Sequence, residues 1–145
     1  MKLVPETEEG IFIEASRDKI QQVLLNLLLN ALESIDARLD NEDEGYEPKI
    51  ILRCRRRDGF AAITLWDNGV GMDEALRKAC LQPFYSTKSA GTGLGLPVSA
   101  KYIGDIGGTL NIESQPGEFT SITILLPEKT ETFLREEKTE DEDEA

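Results

Sequence analysis

Histidine is absent from this chain of 145 residues. Without an imidazole, Ser-His-Asp triads, Cys-His dyads, His-Glu-x-x-His metal sites and a phosphohistidine on the chain itself are excluded. Cysteine is scarce too. Cys54 and Cys80 are the two present, one in a strand-like and one in a helix-like run, without Cys-x-x-Cys spacing. They read as free thiols of a reducing, cytoplasmic environment and not as a zinc site. No apolar run approaches the roughly 20 residues that cross a bilayer. Charge and proline in Met1-Lys-Leu-Val-Pro-Glu-Thr-Glu-Glu9 interrupt any signal-peptide core. Positive charge is short as well: 16 Lys and Arg against 28 Asp and Glu give a net charge of −12. That balance argues against nucleic-acid and membrane-surface binding, which need a basic footprint. Much of the acid is local to Asn41-Glu-Asp-Glu44 and to Glu136–Ala145, which read as solvated segments.

What is present centres on one long helical run, Gln21-Gln-Val-Leu-Leu-Asn-Leu-Leu-Leu-Asn-Ala-Leu-Glu-Ser-Ile35, expected to extend from Arg17 to Arg38 behind a Ser16 N-cap. Ile20, Val23, Leu24, Leu27, Leu28, Ala31 and Ile35 make a broad apolar face, and Leu25, Leu29 and Leu32 flank it. Gln22, Asn26, Asn30 and Glu33 share a narrow polar seam. Asparagine is costly to bury without partners. On a helix that reads as mostly buried, the seam is either a pair of satisfied core amides or a site holding a ligand or metal through neutral groups.

The chain is long enough for one domain with a real core. Residues 1–9 read as a polar, weakly ordered segment, residues 10–128 as the folded domain and residues 129–145 as an acidic, disordered tail. Ile11-Phe-Ile13 reads as a short first strand. Lys49–Arg57 and Phe60–Trp66 form a hairpin through Asp58-Gly59. Asp73 caps a short helix through Ala79, and a third helix runs from Leu94 to Ile106 with Pro97 tolerated in its first turn. Thr109–Glu113 and Thr120–Leu126 make a second hairpin through Gln115-Pro-Gly117. The order implies an α/β (α+β) two-layer sandwich: a mixed, largely antiparallel sheet of about five strands on three helices. The basic cluster Arg53–Arg57 reads most simply as the solvated face of a strand, with a docking patch as the minority alternative.

Two glycine-rich loops carry candidate chemistry. Gly91-Thr-Gly-Leu-Gly-Leu96 at a helix start is a phosphate cradle in physical terms, because glycines let backbone N–H groups approach an anion. Its spacing matches neither a dinucleotide fingerprint nor a P-loop. Asp67-Asn-Gly-Val-Gly-Met72 places a carboxylate acceptor at a strand end beside two glycines. Taken alone it is an ordinary turn.

Taken in order, Asn26-x-x-x-Asn30-Ala31, Asp67–Met72, Pro83-Phe-Tyr-Ser-Thr-Lys88 and Gly91–Leu96 resemble the four nucleotide-binding boxes of the catalytic domain of sensor histidine kinases. These belong to the Bergerat-fold group that includes gyrase B, Hsp90 and MutL. The likeness covers about Gly10 to Pro127. It implies a domain that binds ATP with Mg²⁺, Asp67 accepting from the adenine amino group while Gly69, Gly71 and Met72 shape the base site. Asn30 would ligate Mg²⁺, and Asn26 would support the phosphates. Phe84 and Tyr85 would anchor the loop that covers the nucleotide, and Thr87, Lys88, Gly91, Thr92, Gly93, Leu94, Gly95 and Leu96 would line the nucleotide, the glycines presenting N–H groups to the phosphates and Lys88 acting as counter-charge.

Asn26 stands where the hydrolytic relatives carry a glutamate base, so rapid hydrolysis is not expected. The segment 83–88 favours a histidine kinase over an anti-sigma-factor kinase. With no histidine to accept phosphate, the implied partners are the phosphoacceptor and dimerisation domain of a longer kinase, expected ahead of Met1, and a response regulator. The domain itself is expected to be monomeric and cytoplasmic. A nucleotide-sensing module without phosphotransfer is the alternative reading. The short Ser89-Ala90 stretch implies a compact lid over the nucleotide, as in nitrogen-regulator-type kinases. Gly117-Glu-Phe-Thr120 lacks the second glycine usual in the family, which leaves open whether Thr120 or Ser121 reaches the adenine; Ser121 is the residue taken here.

Overall fold

Five strands and three helices appear among the residues described by the computed structural model of the chain, 1–41, 44–82 and 95–129. In chain order they are β1 (Lys2–Thr7), α1 (Arg17–Asp40), β2 (Lys49–Arg57), β3 (Phe60–Asp67), α2 (Glu74–Ala79), α3 (Gly95–Asp105), β4 (Thr109–Gln115) and β5 (Phe119–Pro127). The sheet runs β1-β2-β3-β5-β4, with β1 parallel to β2 and the other neighbours antiparallel. This is the expected two-layer α/β sandwich.

Local chemistry sets most boundaries. Ser16 caps α1 by accepting from the Lys19 N–H at 3.4 Å, and Asp73 caps α2 by accepting from the Leu76 N–H at 2.8 Å. Asp58 and Gly59, with φ of 50° and 84°, make the tight β2–β3 turn. Both left-handed angles match the twist of the strands they join, and aspartate tolerates that region better than most residues.

The core lies between α1, α3 and one face of the sheet. Val23, Leu27, Ala31 and Ile35 meet Ile50, Leu65, Ile103, Ile112, Ile122, Ile124 and Leu126. Fully burying a side chain such as Leu27 stabilises by about 1.5–3 kcal/mol, so packing rather than helix propensity fixes α1. α1 is less enclosed than its composition implies: Leu25, Leu29 and Leu39 each remain 48% exposed. The helix covers the sheet along one line of i, i+4 positions with Leu28 and Leu32 packed beside it, while Leu25 and Leu29 face outward.

The N-terminal expectation is corrected. Residues 1–9 are not a loose segment, because Lys2–Thr7 is the edge strand β1, in register from Lys2 opposite Lys49 to Thr7 opposite Cys54. Ile11–Ile13 supplies only one bridge, Ile13 to Glu128. Pro5 and the charges disguise β1 in the sequence, yet an edge strand tolerates both. Glu6 reaches Arg53 at 2.7 Å, so part of the basic cluster pairs with β1. Cys54 and Cys80 are free thiols. No helix among the described residues is long and apolar enough to cross a membrane. The acidic tail beyond Lys129 lies outside the described residues.

Candidate nucleotide site

β3 ends at Asp67, a carboxylate only 4% exposed. One of its oxygens, Oδ1, accepts from the Gly69 N–H at 2.9 Å. The loop that follows is anchored from several sides. The Asn68 amide accepts from Lys49 N–H at 2.8 Å and from the Tyr46 hydroxyl at 3.2 Å, and it donates to the Glu47 carbonyl at 2.8 Å. Val70 N–H donates to Ser34 Oγ at 3.1 Å. Both glycines are required by space. A Cβ on Gly69 would overlap the Ser34 hydroxyl, and one on Gly71, with φ of 68°, would overlap the Gln115 carbonyl.

The β4–β5 hairpin forms the facing wall. Ser114 Oγ accepts from Met72 N–H at 2.7 Å and donates to the Phe119 carbonyl at 2.7 Å. Its only hydrogen is thereby used, so the 2.9 Å contact with Thr120 is a bond donated by the threonine hydroxyl. That leaves the Thr120 oxygen as an acceptor. Register decides between the two hydroxyls at the start of β5. Thr120 lies opposite Asp67 and is 7% exposed, whereas Ser121 lies opposite Trp66. Cross-strand partners share a face and successive residues alternate. Ser121 therefore projects to the outer face with Trp66 and Phe119, whose rings stack at 6.4 Å. Of the two hydroxyls, Thr120 is the one on the Asp67 face, and Ser121, the residue expected at the adenine, lies on the opposite face.

The seam of α1 leads away from this wall. Gln22 Nε2 donates to Asn26 Oδ1 at 3.0 Å, and Asn26 Nδ2 donates to the buried Ser99 hydroxyl at 3.4 Å. Gly95 begins α3 directly against Asn26: a Cβ there would lie 3.8 Å from its Cγ. The asparagine seam and the last glycine of the second glycine-rich run are thus neighbours. Half-buried Asn30 has no side-chain hydrogen bond recorded among the described residues. Leu96 packs on the core. Phe84, Tyr85, Thr87, Lys88, Gly91, Thr92, Gly93 and Leu94 lie outside the described residues.

Sequence reasoning missed Ser34, Arg38, Tyr46 and Ser114. Two had a usable signal, since Asn26, Asn30, Ser34 and Arg38 follow one another at four-residue steps and so form one polar line along α1. Ser114 and Tyr46 act through positions that only the pairing of distant strands and loops reveals.

Chemically, the buried carboxylate at Asp67 suits a ligand donor and the amide oxygen at Asn30 suits a hard cation. Among the described residues no three His, Cys, Asp or Glu side chains cluster as metal ligands. A cation at Asn30 would therefore draw its other ligands from phosphates and water, the usual habit of Mg²⁺.

Residues 15–130 match the family described as histidine kinase-, DNA gyrase B- and HSP90-like ATPases. The chain is 39% identical over 116 residues to the signal transduction histidine-protein kinase AtoS of Escherichia coli (strain K12), covering 79% of this chain and 18% of that protein. It is 35% identical over 131 residues to the sensory histidine kinase/phosphatase NtrB of Rhizobium leguminosarum bv. phaseoli, covering 86% and 34%. The chain thus spans between 18% and 34% of the length of these curated relatives. A nucleotide-free catalytic domain of the histidine kinase ThkA superposes with a TM-score of 0.71 at 31% identity, covering 88% of this chain and 80% of that one. Sequence and fold agree: this chain belongs to the histidine kinase-, gyrase B- and HSP90-like ATPases, as an ATP-binding histidine kinase catalytic domain.

Proposed function

We propose that the chain binds Mg-ATP between the Asp67 loop and the α1 seam and donates the γ-phosphate to a histidine on a separate phosphoacceptor and dimerisation domain. The observation that carries this reading is Asp67, buried at a strand end, facing Thr120 across the sheet and bounded by two glycines that no side chain can replace. A buried carboxylate so placed accepts from the adenine amino group. The Thr120 oxygen accepts from the base edge or from a water shared with Asp67.

Asn26 and Asn30 lie along the phosphates, with Gly91, Gly93, Gly95 and Lys88 proposed to complete that end. Asn30 would hold Mg²⁺ through its amide oxygen, and the ion would supply neutralisation of phosphate charge. In the transfer a bond forms between an imidazole nitrogen and the γ-phosphorus while the bond to the β,γ-bridging oxygen breaks and ADP leaves. Asn26 cannot deprotonate water, which favours transfer to the imidazole over hydrolysis. Through its acceptor domain the longer kinase would serve a response regulator.

The test supplies a histidine-bearing phosphoacceptor domain in trans with γ-labelled ATP and Mg²⁺. Label on the acceptor is expected. Nucleotide binding without any transfer would instead make the chain a nucleotide-sensing module.

A further inference from the structure

The last turn of α1 carries Arg38, whose Nη1 donates to the Asn68 carbonyl at 2.9 Å and contacts the Gly69 and Glu118 carbonyls at 3.4 and 3.5 Å. Two of these oxygens lie in the loop after Asp67 and the third in the β4–β5 turn. The guanidinium also stacks over the Tyr46 ring, 4.4 Å from its centroid, and the Tyr46 hydroxyl donates to Asn68 Oδ1 at 3.2 Å. Gly117 N–H, in the β4–β5 turn, donates to the Val70 carbonyl. Both walls of the base site and the C-terminal end of the long helix therefore meet at one planar cation. Arginine suits the place because its fork presents several fixed donors at once, and a cation there complements the negative end of the helix dipole.

We propose that Arg38 is a positioning residue for adenine recognition. It touches no nucleotide. It holds the Asp67–Met72 loop against the β4–β5 turn, so that Asp67 and Thr120 stay at one separation. This inference rests on the reading of Asp67 as the adenine acceptor. Ser34 and Asn68 anchor the loop to α1 and β2, Ser114 and Gly117 tie it to the β4–β5 hairpin, and Arg38 joins loop and turn to the end of α1; its loss loosens the spacing of the two walls without releasing either from the core.

The experiment compares the wild-type chain with Arg38→Met, which keeps the aliphatic stem, and Arg38→Lys, which keeps the charge but gives up the planar fork. Circular dichroism checks folding, calorimetry measures ADP affinity in EDTA, and amide hydrogen exchange is read residue by residue. Arg38→Met is expected to weaken ADP binding about tenfold, the scale of lost hydrogen bonds to a charged group. It should speed exchange of the Val70 and Gly117 amides while Ile63 and Leu65 in β3 keep their protection. Arg38→Lys should fall between the two. ADP affinity within twofold of wild type in both variants would overturn the proposal. So would exchange that accelerates equally across the sheet, or a Met variant that fails to fold together with a Lys variant matching wild type. Wild-type protein that bound no ADP would instead sink the adenine reading itself.

Discussion

The two ends of the proposed nucleotide site are built in opposite ways, although one helix serves both. At the proposed adenine end, Ser34, Arg38, Tyr46, Asn68 and Ser114 hold the loop after Asp67 with hydrogen bonds supplied by the protein itself. At the phosphate end, Asn26 leans on Gln22 and Ser99, and the Asn30 amide has no recorded partner among the described residues. A base is a rigid, neutral object and can be met by a rigid, preformed slot. Phosphates with a cation bring their own charges and waters, so the protein need offer only a few oriented dipoles. On the proposed reading, the adenine end is fixed by folding, while Asn26 and Asn30 offer the phosphate end oriented dipoles.

The largest effect should come from Asn30. Asn30→Ala is expected to lower phosphotransfer to an acceptor supplied in trans by about a thousandfold, because positioning and charge neutralisation are most of what such an enzyme contributes. ADP affinity in EDTA should stay within about twofold, since the base contacts lie elsewhere. A parallel fall in both would erase the distinction between the two ends.

Gly71→Ala attacks the preformed end. The added Cβ would meet the Gln115 carbonyl in a backbone held at φ of 68°, where strain alone costs about 1–3 kcal/mol. Thermal melting should drop, and ADP binding should fall about a hundredfold even in protein that remains folded.

Asp67→Asn is milder. It removes the charge but keeps the shape, so nucleotide binding should weaken by about 1–3 kcal/mol, the cost of a mismatched buried polar group. Titration with a fluorescent nucleotide checks it. Unchanged affinity would remove Asp67 from the base site.

The smallest effect belongs to a pair outside both ends. The hydrogen bond from Arg53, and then its positive charge, hold the Glu6 carboxyl below the ordinary glutamate value of 4.5. A folded-state value below the unfolded one means that the pair stabilises above about pH 4.5 and loses that contribution as the pH falls through the lowered value. The melting difference between wild type and Arg53→Gln should be small at pH 7 and vanish in acid, with ADP affinity the same in both.

How much of this was legible in the sequence follows the same division. The Asp58-Gly59 turn, the Ser16 and Asp73 caps and the apolar line of α1 are local signals, and the structure repeats them. Asp67 stood out because a carboxylate, two glycines and a strand end are adjacent in the chain. Thr120 and Ser114 did not, because which hydroxyl faces Asp67 depends on register between strands that lie more than fifty positions apart. β1 was missed for a related reason: pairing on one side alone asks little of a strand's composition, and Pro5 hid what alternation there was. The compact lid expected from Ser89-Ala90 concerns positions outside the described residues.

That edge strand has a consequence for how the protein survives at high concentration. β2 begins with Lys49-Ile-Ile-Leu52, an apolar β-forming stretch of the kind that recruits strands from neighbouring molecules when its edge is bare. β1 occupies that edge in parallel register and turns outward a strand carrying Lys2, Glu6 and a proline with no N–H to offer. Trimming residues 1–7 would leave the nucleotide site and the packed core in place. The first sign of their loss would be self-association, seen as turbidity well before any failure to bind nucleotide.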